Sequence, residues 1–191
     1  MSVGEYVLIF NSIIIGLAVA DVLISFHRLL RARARVKWFW MPPSLGVLML
    51  VLAVNAWWGS YALFAHLQTM SMVAYLPILT LFALLFLMLA AVLPDEVPSD
   101  GLDLRIWFVA NARYFWILWA LNQAVLLIWL ASRQFPSAEP TVPFLTGYWI
   151  NVGMLCGALL IVWFRRLWLD SIYVVLMLAV TVRGALHIAL S

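Results

Sequence analysis

Three charged side chains stand inside stretches of sequence that are otherwise almost wholly apolar, and a charge in hydrocarbon is expensive enough to require a reason. Asp21 lies in IIIGLAVADVLISF, Arg113 in FVANARYFWIL and Arg183 in AVTVRGALHI. Asp21 is two to three turns from the end of its stretch, and Arg113 is about ten residues into its own. At 1.5 Å rise per residue both fall roughly 10–15 Å from one interface. An Asp21–Arg113 pair is therefore expected, either as a clamp on helix register or as part of a conduction or proton-relay path. Removing one partner would strand the other charge. Arg183 is expected to meet Asn11 and Glu5 if the first and last stretches are neighbours.

Amides extend this polar set. Asn111 and Asn122 are almost in line at about 100° per residue, with Tyr114 and Leu118 completing the stripe. Asn55 falls near the middle of the second stretch and Asn151 opens the fifth. Such groups are interhelical glue, often worth about 0.6 kcal/mol each, or the lining of a wet cavity.

The elements that must position these groups are helices. Six apolar stretches, near 5–30, 43–67, 72–94, 104–132, 144–165 and 168–190, are each long enough, at about 20 residues, to cross hydrocarbon. Hydrophobic residues make up 67% of the chain and charged ones 10%, too few polar groups to cover a soluble core. The expected fold is all-α, a single polytopic transmembrane bundle of six spans. Pro42 and Pro43 suit the opening of the second helix, where a missing N–H costs little. Pro94, Pro98 and Gly101 punctuate one connection, and Pro136, Pro140 and Pro143 another. The N-terminus carries Glu5 and no positive region, so it reads as a retained helix rather than a cleaved signal. An inverted repeat of three plus three spans finds support only in Asn11 and Asn111.

Charge sets the orientation. Arg28, Arg31, Arg33, Arg35 and Lys37 crowd the first connection, Arg165 and Arg166 the fifth, while Arg133 alone lies in a connection facing the other way. The positive-inside rule puts the crowded loops in the cytoplasm and both termini outside. The acidic run Asp95, Glu96, Asp100 and Asp103 then faces the cytoplasm too. One short basic loop is no groove-reading module, so the formal charge of +3 points to lipid headgroups rather than nucleic acid.

Other chemistry is thin. There is no HExxH, GxSxG or phosphate loop, and no enzyme is expected. Asp21 and Asp170 make a poor aspartyl pair, since Asp170 reads as a first-turn charge favourable to a helix dipole. His66 and His187 end two stretches on one side and could in principle hold a haem, but interfacial histidines are more simply solvated. Cys156 is the single cysteine, so no disulfide or metal cluster forms within the chain, and neither a metal nor a cofactor is expected. Gly16 with Ala20, and Gly153 with Gly157, have the small-xxx-small spacing that lets helices approach, within one subunit or between two. Of the eleven tryptophans, Trp38, Trp40, Trp107, Trp149, Trp163 and Trp168 fall near interfaces; Trp57, Trp58, Trp116 and Trp119 lie deeper and are expected to pack.

The stretch from Ser12 to Pro42, SIIIGLAVADVLISFHRLLRARARVKWFWMP, resembles a group of bacterial six-span inner-membrane proteins. So do the Trp57–Trp58 pair and the segment from Leu93-Pro94-Asp95 to Asp103-Leu104-Arg105. The shared features are a Gly-rich first helix, an Arg-rich loop and an aromatic-Trp-Pro approach to helix two. The resemblance covers most of residues 1–120 and implies a bacterial inner-membrane location, but it carries no activity and no functional residues.

Together these features point to a channel or transporter for an ion or small solute. Asp21 and Arg113 would set selectivity or gating, with Asn111, Asn122 and Asn55 lining the path. Few helices enclose little space, so a homo-oligomer in the bilayer is expected. The alternative is a non-catalytic scaffold or sensor subunit whose basic and acidic loops recruit a partner. A cofactor-binding redox protein is a third reading.

Overall fold

A computed structural model describes residues 2–65, 67–134 and 147–188, the side chains of 134 and 183–188 excepted. Among these residues the chain forms six helices: α1 (Val3–Arg31), α2 (Met41–Phe64), α3 (Met72–Ala91), α4 (Leu104–Gln134), α5 (Trp149–Phe164) and α6 (Leu167–Ile188). Local chemistry fixes their starts. Ser2 caps α1 in a reciprocal box, its Oγ accepting from Glu5 N while its own N–H donates to Glu5 Oε2. Pro42 and Pro43 sit in the first turn of α2, as expected. Ser71 caps α3, and the Asp103 carboxylate receives the Arg105 and Ile106 N–H groups that open α4.

Helices α1 to α4 are long and apolar enough to cross a membrane. Helix α5, at 16 residues, spans about 24 Å against a hydrocarbon core of about 30 Å. The expected stretch 144–165 begins on residues outside the description, and Leu167–Val182 is likewise a shorter apolar helix.

The chain runs α1–α3–α4–α5 as a row of neighbours. Helix α2 packs across that row on α1, α3 and α4, and α6 packs on α2 and α5. The core is built from Leu29, Met49, Met88, Leu104, Trp116 and Met177, all essentially inaccessible. Ile9, Ile13, Leu17 and Ile24 on α1 point outward, so the helices are apolar on both faces, as a lipid solvent requires.

One end of the bundle carries the basic loop together with the acidic third connection, which the sequence reading put on the same side. Val36–Lys37 (β1) pairs in parallel with Leu102–Asp103 (β2), which ties the first connection to the third. The Arg28 guanidinium donates to Asp95 O at 2.6 Å and that of Arg35 to Ser99 O at 3.4 Å. Gly101 makes the fit, with φ of 102° and space so tight that a Cβ would lie 2.8 Å from Arg35 O. At the opposite end the Gly4 N–H donates to Leu67 O at 3.1 Å, tying α1 to the connection after α2.

Gly101→Val should lower stability by about 1–3 kcal/mol, since it adds both a strained φ and a clash with Arg35 O. Thermal unfolding in detergent would read this as a lower midpoint.

Candidate ligand cavity

Helix α4 positions the polar groups that matter most. Trp119, Asn122, Gln123, Leu126 and Trp129 recur at helical spacing and face a cavity of about 450 Å³ between α2, α3, α4 and the start of α5. The opposing walls are apolar, with Leu52 and Leu63 from α2 and Phe82 and Leu85 from α3. Into this apolar space come three amides and Ser60.

The amides are partly engaged with the protein and partly free. Asn122 Nδ2 donates to Leu81 O at 3.2 Å, and Asn151 Nδ2 donates to Gln123 Oε1 at 3.4 Å. The Ser60 hydroxyl donates to Trp57 O. Each amide carries one acceptor and two donors, so the Gln123 NH₂ and the Asn122 and Asn151 carbonyls remain available. Gln123 is buried, while Asn122 and Asn151 are half-buried.

A second hydrogen-bonded unit holds the wall behind them. Trp119 Nε1 donates to the Tyr173 hydroxyl at 2.9 Å, and that hydroxyl donates to Met154 O. One phenol thus joins α4, α5 and α6. Its ring meets Trp116 edge-on at 5.2 Å between centroids and lies over Gly157, where a Cβ would collide with it. The absence of a side chain at Gly157 is what allows this approach.

Away from the basic end the cavity adjoins another of about 530 Å³, which shares Leu63, Phe64, Ile78 and Trp129 with it and reaches Thr69, Ser132 and Arg133. The Arg133 guanidinium lies 5.2 Å from the Trp129 ring centroid. Towards the basic end Leu89, Leu104 and Trp116 are buried, and none of them lines this cavity.

The residues singled out from sequence are dispersed. Asn122 lines the cavity. Asn11 is fully buried and accepts from the Tyr75 hydroxyl at 2.7 Å, its Nδ2 without a partner. Asn111 is exposed and donates to Trp107 O on its own helix. Asn55 is half-buried and outside the cavity wall. Asp21 is half-buried on α1 and Arg113 exposed on α4; no ion pair joins them, and α3 packs between the two helices. The side chain of Arg183 lies outside the described residues, as do His66 and the side chain of His187. Helices α1 and α6 each pack on α2 rather than side by side. Gly16, Ala20 and Gly153 are exposed, and a Cβ at either glycine would meet nothing within 4 Å. Trp116 and Trp119 are buried as expected, whereas Trp57 and Trp58 are exposed, Trp57 donating to Ser12 Oγ. Arg31, Arg33, Arg35 and Lys37 are exposed beside Arg28 at the basic end.

Gln123, Tyr75 and Tyr173 do not emerge from the sequence reading. Gln123 follows Asn122 directly, and a polar pair in WALNQAVLL was the available signal. Among the described residues no three His, Cys, Asp or Glu side chains gather as metal ligands. No protein-family model, curated protein or solved structure matches the chain.

Gly157→Val should destabilise by about 1–3 kcal/mol through overpacking against Tyr173, whereas Gly16→Val should leave the unfolding midpoint of a single copy unchanged. Thermal unfolding of both variants, with native mass spectrometry to follow subunit number, checks the contrast.

Proposed function

We propose that this is an integral protein of the bacterial inner membrane that carries a small uncharged solute through the space between α2, α3, α4 and α5. The carrying observation is the cavity wall, an apolar body with the free groups of Asn122, Gln123 and Asn151 and no formal charge. Its size lies within the range of about 300–1,000 Å³ usual for small-molecule sites. An ion leaving water needs a dense ring of carbonyls or charged side chains to replace its hydration. A neutral solute bearing hydroxyl or amide groups needs only a few hydrogen bonds, which these amides supply.

The cavity extends towards Arg133, while towards the basic end it stops short of the buried Leu89, Leu104 and Trp116. That asymmetry fits a carrier caught with one side accessible better than it fits an open pore. With the basic loop in the cytoplasm, both termini and the Arg133 opening face outward. The exposed Gly16, Ala20 and Gly153 offer small-residue surfaces to a second copy, in keeping with a homo-oligomer in the bilayer. The scaffold alternative draws less support, because the basic and acidic loops bind one another through β1, β2, Arg28 and Arg35.

Stopped-flow light scattering of proteoliposomes under a glycerol or urea gradient tests the reading. Swelling should run several-fold faster than in protein-free vesicles, and Gln123→Leu should return it most of the way. Potassium flux should stay at the protein-free level. Solute entry at the protein-free rate, or a dominant potassium flux, would sink the proposal.

A further inference from the structure

A smaller cavity of about 280 Å³ lies at the basic end, between the first half of α4 and the turn joining α5 to α6. Its wall carries three ionisable side chains, Arg113, Arg165 and Asp170, together with the Trp116 indole. Asp170 is only 6% exposed and Trp116 1%. Asp170 Oδ1 and Trp116 Nε1 are both buried without a hydrogen-bond partner; the two groups are close, but not in hydrogen-bonding geometry. Nor does an ion pair join either arginine to Asp170. Buried polar atoms without full partners are rare in folded proteins, and here both belong to residues that line one cavity beside two arginines that no described carboxylate pairs.

The backbone adds an independent sign. Arg165 ends α5 at φ 48° and ψ 49°, a left-handed position usually given to glycine. The chain has an arginine there, and this residue borders the cavity. Strained positions of this kind concentrate at ligand sites.

The charges define the ligand. A simple anion would meet the Asp170 carboxylate, and a simple cation would meet two guanidiniums. A zwitterion satisfies all three. Guanidinium groups favour phosphate oxygens, the indole N–H is a donor only, and a carboxylate oxygen accepts from an ammonium. Phe108, Val109, Ile161 and Leu167 give the rest of the wall an apolar character, with Val109 exposed on the helix flank.

We propose that this cavity binds a phosphoethanolamine-type lipid headgroup, its phosphate between Arg113 and Arg165 and its ammonium on Asp170. The site is separate from the solute cavity and stands whether or not solute transport is found.

Native mass spectrometry of the full chain, given equal amounts of dioleoyl phosphatidylethanolamine and dioleoyl phosphatidylglycerol, provides the test. The wild type should retain the ethanolamine lipid about tenfold over the glycerol lipid, the worth of one charge-assisted hydrogen bond. Asp170→Asn should abolish that preference. Arg165→Gly, which suits the left-handed turn and should fold as well as the parent, should weaken both lipids. Displacement by millimolar soluble phosphoethanolamine would support the site and show that the headgroup alone suffices; resistance to it would support the lipid as the source. Equal retention of the two lipids by the wild type would mean annular lipid only and overturn the proposal. So would a preference that survives both substitutions.

Discussion

Hydrocarbon offers a polar group no hydrogen bonds, so within the bundle each must be answered by another part of the chain or by a ligand. The Tyr173 hydroxyl shows the rule at its most economical. It accepts from Trp119 on α4 and donates to a carbonyl of α5, while its own helix is α6. The Tyr75 hydroxyl donates to Asn11, linking α3 to α1, and Asn122 links α4 to the Leu81 carbonyl of α3. Dispersion and these few directed contacts, rather than a hydrophobic driving force, hold helices together in lipid. The polar side chains therefore select which helix faces meet, and the cavities lie where that selection leaves atoms unmatched.

Two kinds of unmatched atom result. In the amide-lined cavity the free groups are neutral and accept or donate singly, beside walls that take apolar surface. At the basic end they include formal charges of both signs around a space half as large or slightly more. The chemistry of one resembles a solvent for uncharged molecules, and that of the other a mould for a charged one. Trp116 and Trp119, one turn apart on α4, stand beside the two spaces and are braced by the same phenol, Trp116 through its ring and Trp119 through its indole N–H.

The all-α class, the long apolar helices and most helix positions were legible because hydropathy and capping are local. Pro42, Pro43 and Ser71 mark starts that depend only on adjacent backbone. The site was less legible because it depends on which helices become neighbours. Asn111 and Asn122 share a stripe on an ideal helix, yet Asn111 bonds its own backbone while Asn122 meets α3. Depth alone placed Asp21 beside Arg113, but depth says nothing of the helix that stands between them. The β1–β2 pairing is two residues long on each side, too short to leave any alternation in the sequence.

The latches at the two ends have a consequence for biogenesis. Gly4 to Leu67, Arg28 to Asp95, Arg35 to Ser99 and the β1–β2 ladder all join residues that precede the body of α4. As the chain emerges from the ribosome, its first four helices can therefore settle into a cross-tied unit before the last two have been made. The polar spaces remain unfinished at that stage, since Asn151, Arg165, Asp170 and Tyr173 arrive with the final hairpin. Packing of α5 and α6 onto the first four helices is therefore what completes both chambers.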